Sequence, residues 1–319
     1  MINLKKHLIT PHKAVLTLHI RPDMDSVGSN LALMHMLKAH GTDVTIYSED
    51  PVPPECSFLP GSQSIRICNM GAIHWEEYDI FWALDQASLS RMGQASLPGG
   101  FTIINIDHHA TNTCFGTVNV VQSDAASTSS ILFEIFKKSS LSLSESVAQC
   151  LMAGLVGDTG FFRFVHSPEV FTMAAAFMEK GADYTQITYN TLEHVTLKDL
   201  QFLSAILSKA IHDKSKRCVI IAISHEMWQV YGKSDTGRAL TVGYLSRIDK
   251  TDFGILLLEE QKGSVRVEFR ARHERYNVAE LALKLGGGGH ASASGCRLQM
   301  SLKEAEKKIL ELIRKETIV

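Results

Sequence analysis

From Ala14 to about Gly181 the chain alternates short apolar runs with stretches whose apolar positions recur at helical spacing, the pattern of an α/β layer fold with a largely parallel sheet flanked by helices. Ala14 to Ile20 (AVLTLHI) predicts a buried strand, and Ser26 to His40 predicts a helix that Gly41 ends. Asp43 to Tyr47, Asp79 to Leu84 and Phe101 to Ile106 predict further strands, and a helix is expected from Ser144. A long helical stretch, Ser167 to Ile211, meets few breakers beyond Gly181 and is expected to hold the connection between domains. After it the pattern resets. Arg217 to Ser224, Phe253 to Glu259 and Val265 to Arg270 predict strands, with helices near Thr236 to Ile248, Asn277 to Leu285 and Ser301 to Lys315. The expected division is a first domain over residues 1–190, a helical connection over 191–212 and a second, smaller α/β domain over 213–319, with a cleft between the two.

Length agrees with that division, since 319 residues allow two domains that each bury a core. Apolar residues at 45% and charged ones at 21% describe a soluble globular protein rather than a disordered or membrane chain. A net charge of -2 supplies no broad cationic surface, which argues against gripping long nucleic acids and favours a short anionic ligand in a local pocket. The six cysteines are scattered without a CxxC pair, against a zinc knuckle or a disulfide framework, and read as reduced residues of a cytoplasmic protein. Met1 to Thr10 carries Lys5, Lys6 and His7 and lacks both the apolar core of a signal peptide and the length of a membrane span, so no membrane association is expected.

Candidate chemistry clusters just past the predicted strands. His19, Asp23 and Asp25 follow the first, Asp85 follows Asp79 to Leu84, and Asp107-His108-His109 follows Phe101 to Ile106. Ligands of open α/β sheets bind beyond the carboxyl ends of the strands, so these segments are expected to meet at one crevice. In an extended loop the i and i+2 side chains share a face, so His19, Asp23 and Asp25 are expected to converge on one point. Unshielded carboxylates there would raise each other's pKa, and a cation would resolve the conflict. Imidazole and carboxylate without thiolate suit manganese or magnesium better than a structural zinc. Asp158, between Gly157 and Gly160 at the end of the helix predicted from Ser144, can approach a metal without crowding. Farther on, Gly286 to Gly289 precede His290; such a run marks close backbone approach, and its amides make an anion nest. Arg270 and Arg272 fall on one strand face and match phosphate geometry with paired donors.

The HxRPDxDSxGS segment at His19, the lone Asp85, the Asp107-His108-His109 triplet and the Asp158 segment resemble, in order, the four motifs of the DHH phosphoesterase superfamily. Phe269-Arg270-Ala271-Arg272, followed by GGGGH and Ala293-Ser294-Gly295, resembles the first type of DHH-associated C-terminal domain, and the combination is most similar to the small two-domain branch of nanoRNases and 3'-phosphoadenosine 5'-phosphate phosphatases. The resemblance implies two divalent ions, manganese preferred and magnesium or cobalt compatible, with His19, Asp23 and Asp85 on one, Asp25, Asp85, His108 and Asp158 on the other, and Asp85 bridging. It implies that Asp107 orients a ligand histidine, that His109 contacts the phosphate as donor or proton source, and that Arg270, Arg272, Gly288, Gly289 and His290 hold a substrate phosphate. Met24, between the two acids, and Ala271, where a serine often stands, depart from the family pattern; Met24 is expected to face away from the metals, and Ala271 to forgo one substrate contact.

The implied activity is release of mononucleotides from very short oligoribonucleotides, with dephosphorylation of 3'-phosphoadenosine 5'-phosphate beside it. Short oligonucleotides and nucleotide phosphates are therefore the expected partners, and a homodimer is left open. Hydrolysis of linear or cyclic dinucleotides is the nearest rival, and a nucleotide-binding regulator without turnover is the alternative of another class. Inorganic pyrophosphatases of the superfamily carry a different C-terminal domain, which disfavours that activity.

Overall fold

The apolar runs of the first half become a six-stranded sheet in the order β3-β2-β1-β4-β5-β6, every neighbouring pair parallel. In this computed structural model the structure describes residues 4–93, 97–165, 167–193, 195–245, 247–272, 276–289 and 291–315. Contacts divide the chain into two units, Met1–His194 and Val195–Val319. The first contains α1 (Lys5–Ile9), β1 (Lys13–Thr17), α2 (Met24–Ala39), β2 (Asp43–Ser48), β3 (Arg66–Ile67), β4 (Ile80–Leu84), β5 (Thr102–Asp107), β6 (Val118–Val121), α3 (Thr128–Lys138), α4 (Glu145–Asp158), α5 (Glu169–Glu179) and α6 (Tyr184–Leu192).

Both faces of the sheet are covered, which is why its central strands read as continuous apolar runs. Trp82 on β4 packs into the core shared with α2, α3 and α4, while its neighbour Phe81 packs on the other face against Met70, Trp75 and Met92. Burying each fully is worth about 2–3 kcal/mol, so β4 is a rigid base for Asp85 at its end. Because β1 lies beside β2 on one side and β4 on the other, the chain reverses its direction of travel across the sheet between β1 and β4. That switch point opens a crevice at the strands' carboxyl ends.

Two boundaries differ from the sequence reading in ways that bear on the site. The segment after β1 is helix from Met24, not extended loop: Asp23 Oδ1 accepts hydrogen bonds from the amides of Asp25 and Ser26 and caps α2. Residues two apart at a helix start do not share a face, so Asp23 and Asp25 diverge. The expected long helix from Ser167 is three helices, because Gly181 takes φ 95° after α5, Asp183 caps α6, and Thr196 and Asp199 form a capping box ahead of the next helix.

The second unit contains α7 (Leu197–Leu207), β7 (Ile211–Asp213), β8 (Cys218–Ile223), α8 (His225–Val230), α9 (Asp235–Leu245), β9 (Phe253–Gln261), β10 (Ser264–Ala271), α10 (Val278–Leu283), β11 (Gly288–Gly289), β12 (Ala293–Leu298) and α11 (Leu302–Lys315). Its strands run in the order β11-β12-β10-β9-β8-β7, with only β8 and β9 parallel. Val267 and Phe269 point into a core with α10 and α11; Leu256 and Leu258 point to the opposite core with Phe202 of α7 and Val242 of α9. No helix among the described residues is long and apolar enough to cross a membrane.

Candidate metal centre

Every donor of the site stands on the carboxyl side of a sheet strand or at an end of a helix packed on that sheet. His19 follows β1, Asp85 follows β4, His108 and His109 follow β5, Asp25 lies in the first turn of α2, and Asp158 closes α4. Backbone geometry fixes Asp85 most tightly. Its φ of 58° is left-handed, a strain of about 1–3 kcal/mol for a non-glycine residue. Its amide donates to Ile106 O at 3.0 Å and its Oδ1 accepts from Thr128 Oγ1 at 3.1 Å, so the strained conformation is held from two sides.

The carboxylate of Asp85 faces two groups of donors. Oδ2 lies 3.4 Å from His19 Nε2, which is 3.5 Å from Asp23 Oδ2. Oδ1 lies 3.6 Å from His108 Nε2, which is 3.0 Å from Asp158 Oδ2. Asp25 joins the His108 and Asp158 group rather than the His19 group, so the expectation that His19, Asp23 and Asp25 converge on one point does not hold. Three sets of donor atoms each lie within 4.8 Å: His19, Asp23 and Asp85; Asp25, His108 and Asp158; and Asp85, His108 and His109.

Asp25 is fully buried, and both of its oxygens accept amides at the start of α3, Thr128 N at 2.6 Å and Ser129 N at 3.0 Å. A helix N-terminus stabilises such a carboxylate. Room for it comes from Gly154 of α4, where a Cβ would fall 2.5 Å from Asp25 Oδ1 and 2.0 Å from Ser129 Oγ. Met24 turns to the helices, its Cβ at 2.6 Å from where a Gly157 Cβ would stand.

Electrostatics follow the crowding. Burial, with Asp158 and Asp85 adding to it, pushes the Asp25 carboxyl well above its ordinary range, and burial raises Asp158 despite the opposing His108. Burial alone would lower the imidazole of His19, but the carboxylates of Asp23 and Asp85 outweigh it and raise it to about 10. Burial likewise opposes Asp158, Asp25 and Asp85 at His108, which also rises to about 10. Among the described residues, His19 Nε2 and Asp158 Oδ2 are buried atoms that make no well-formed hydrogen bond despite these short approaches. Such atoms cost free energy unless satisfied, and carboxylates this close resist joint ionisation; a divalent cation answers both, so the donor set fits a metal.

Beside this cluster, Asp107 is fully buried and accepts from His109 Nδ1 at 2.7 Å and from Asn112 Nδ2 at 2.6 Å. The ring it orients is therefore that of His109, not of His108. Asp107 is the largest influence raising the His109 pKa, with burial opposing. Asn112 also reaches Gln86 O and Asn105 Oδ1, tying the loop after β5 to the one after β4. Arg91 Nη2 lies 3.2 Å from His19 Nδ1.

In the second unit Arg270 lies on β10 and Arg272 just past its end. β10 ends at Ala271, whose side chain is buried, and Arg272 turns to Ile248 O at 2.8 Å and Asp249 at 3.6 Å. Arg270 stays on the polar face beside Glu268. Gly288 and Gly289 form a short edge strand on β12, where a Gly289 Cβ would meet Ala293 O and Ser294 Cα at 2.6 Å, so the close approach these glycines permit is to β12. His290 lies outside the described residues.

Thr128, Ser129, Asn112 and Gly154 escaped the sequence reading. The Ser127-Thr128-Ser129-Ser130 run is a helix-start signal, and Asn112 follows Asp107 by five residues, but neither reveals its carboxylate partner without the fold.

Residues 13–155 match the DHH family N-terminal domain and residues 231–317 match the DHHA1 domain. A relative from Thermus thermophilus, named bifunctional oligoribonuclease and PAP phosphatase NrnA, is 30% identical over 93% of this chain and 88% of its own length. A relative of the same name from Bacillus subtilis is 25% identical over 93% of each. A solved structure described as an exopolyphosphatase-related protein from Bacteroides fragilis shares the fold at a TM-score of 0.88, with 24% identity over 95% of this chain and 92% of that one. The order of its acidic and histidine segments, the parallel sheet that gathers them and a 30% identical relative spanning nearly the whole chain agree: this chain belongs to the DHH family of phosphoesterases.

Proposed function

We propose that this chain is a two-metal phosphoesterase that degrades very short oligoribonucleotides to mononucleotides and dephosphorylates 3'-phosphoadenosine 5'-phosphate. The observation that carries it is the pair of donor groups meeting at the two oxygens of Asp85, His19 and Asp23 on one side, His108 and Asp158 with Asp25 on the other. The names of the Thermus and Bacillus relatives, aligned over most of both chains, support the substrate class. Imidazole and carboxylate donors without thiolate support manganese, with magnesium or cobalt compatible. A cytoplasmic setting accords with six cysteines that are all free.

When bound, two such ions polarise a phosphoryl oxygen and lower the pKa of water for in-line attack. The chain's own groups do the rest. His19, Asp23, Asp25, Asp85, His108 and Asp158 would hold the ions, and the left-handed backbone of Asp85 aims its two oxygens at separate groups of these donors. Asp107 orients the His109 ring through Nδ1 and raises its pKa, which suits the ring to donate a hydrogen bond to a phosphoryl oxygen or to act as the acid for the leaving nucleoside oxygen. Arg270 supplies a guanidinium to a substrate phosphate, while Arg272 serves the 248–252 loop.

Linear dinucleotides, cyclic di-AMP and 3'-phosphoadenosine 5'-phosphate, each incubated with manganese and resolved by chromatography, test the reading. Linear dinucleotides and the bisphosphate are expected to be consumed, and replacement of His108 by alanine is expected to abolish turnover in a folded protein. Preference for cyclic di-AMP, or binding without hydrolysis, overturns it.

A further inference from the structure

The three strands that lead into His19, Asp85 and His108 are joined at their carboxyl ends by a buried polar network centred on Gln86. Asp85 breaks the regular pairing there. Its amide goes to Ile106 O, on the β5 side, and its left-handed φ of 58° turns the chain away from β1, where the β1–β4 register ends at Thr17 and Ala83. Gln86 reaches back across that gap. Its Nε2 donates to Thr17 O at 2.7 Å and to Thr17 Oγ1 at 2.9 Å, so a side-chain amide continues the pairing that the backbone has given up.

The same residue holds the other neighbour. Gln86 O accepts from Asn105 Nδ2, on β5, and from Asn112 Nδ2, each at 3.1 Å, and Asn105 Nδ2 also reaches Ala83 O at 3.1 Å. Thr17, Gln86 and Asn105 are all fully buried. For packing alone Gln86 is a poor choice. A carbonyl only accepts, so the atom facing Thr17 O is the nitrogen, and Gln86 Oε1 is left as a buried acceptor with no partner among the described residues. Such an acceptor costs free energy that an apolar side chain of the same shape avoids. What glutamine adds is the pair of bonds that fixes where β1 ends relative to β4.

Those bonds bear on the metal centre because its two donor groups lie on opposite sides of Asp85. His19 Nε2 is 3.4 Å from one carboxylate oxygen and His108 Nε2 is 3.6 Å from the other. Splay of β1 from β4 carries His19 away from Asp85 and leaves His108, on the β5 side, where it is. Two-metal chemistry needs ions about 3.5–4 Å apart, so it tolerates little of that splay. We propose that Gln86 is a positioning residue that sets the separation of the two donor groups, and through it the spacing of the ions they would hold. The proposal rests on the two-metal reading above and adds to it the group that keeps the halves of the centre in register.

The test is electron paramagnetic resonance of the full-length, chelator-treated protein titrated with Mn2+. The wild type is expected to develop the spectrum of an exchange-coupled manganese pair. Gln86→Met keeps the volume and removes the donor; Gln86→Glu keeps the shape and turns an acceptor toward Thr17 O. Both are expected to lose most of the coupled signal and to bind the weaker ion roughly 10-fold less tightly, with kcat down about 10-fold and KM within about twofold. Thr17→Val, which deletes only one of the two acceptors, should move the same readouts by a smaller factor. The Tm of Gln86→Met is expected to stay close to wild type, because loss of the unpaired Oε1 offsets loss of the bonds to Thr17. Phe177→Leu, at a fully buried position of α5, is the structural control and should lower Tm while the coupled spectrum persists.

An unchanged coupled signal and unchanged ion affinity in both Gln86 variants overturn the positioning role, as does an equal loss in Phe177→Leu. A wild type that shows only isolated ions at saturation overturns the two-metal reading and this proposal with it. A wild type that shows the coupled pair but hydrolyses nothing, with the pair lost in the Gln86 variants, removes the assigned substrates and leaves Gln86 its role.

Discussion

Replacing Gly154 by alanine probes the site without touching a single donor. In an open helix the exchange stabilises by about 0.5–1 kcal/mol, because glycine wastes backbone entropy. At position 154 the added methyl meets Ser129 Oγ at 2.0 Å and Asp25 Oδ1 at 2.5 Å, so α4 must move off α3 or Asp25 must leave the amides of Thr128 and Ser129. Overpacking costs about 1–3 kcal/mol, and a lost hydrogen bond to a carboxylate about 1.5–3 kcal/mol. The balance is a net loss of about 2–4 kcal/mol, which for a unit of this size lowers Tm by about 5–15 °C. Manganese affinity is expected to fall ~10-fold or more, since second groups that orient ligands carry effects of that size. Gly243→Ala is the control: its Cβ would enter open space in α9, and the variant should be neutral or slightly stabilised. Differential scanning calorimetry with and without manganese measures both. A Gly154→Ala protein with wild-type Tm and metal affinity would refute the claim that this glycine makes room for Asp25.

Other outcomes follow from the electrostatics and the hydrogen bonds. His19 and His108 are raised to about 10 in the metal-free protein, so both bind protons at neutral pH and must release them to ligate; apparent manganese affinity should climb as pH rises toward that value, and calorimetry in buffers of different ionisation enthalpy should register the protons. Identical heats in all buffers would contradict it. Asp107→Asn removes the main influence that raises His109, so the alkaline limb of kcat, where protonated His109 is lost, should move to lower pH while KM changes little. An unmoved limb takes His109 out of the acid role. Thr128→Val deletes the hydroxyl that steadies Asp85 Oδ1, and is expected to cost about 1 kcal/mol of stability and ~10-fold in metal affinity, read by thermal melting and manganese titration.

Periodicity and strand-end position made the parallel sheet legible, because β1, β4 and β5 are largely buried apolar runs followed directly by polar residues. The pairing of donors was not. Asp23 and Asp25 look equivalent in sequence, yet Asp23 caps α2 with 56% of its side chain exposed, while Asp25 is drawn inward by amides from α3, more than a hundred residues along the chain. A helix phase of 100° per residue sent them to different groups, and only the folded helix start decides that phase. Glu268 drew no notice because a glutamate between two arginines on a strand is unremarkable until α9 brings Arg238 over it. Long-range partners of this kind leave no mark at fixed spacing.

Between His19 and Asp158 lie five of the first sheet's six strands, β2 to β6, and the donors that meet at Asp85 come from segments made at widely separated times during synthesis. A ribosome-bound chain that has emerged only through His109, just past β5, presents His19, Asp85 and His108 but neither the α3 amides that seat Asp25 nor Asp158 itself. Ion uptake at full affinity is thus a late event in biogenesis, and an occupied centre certifies that the entire first unit has been assembled correctly.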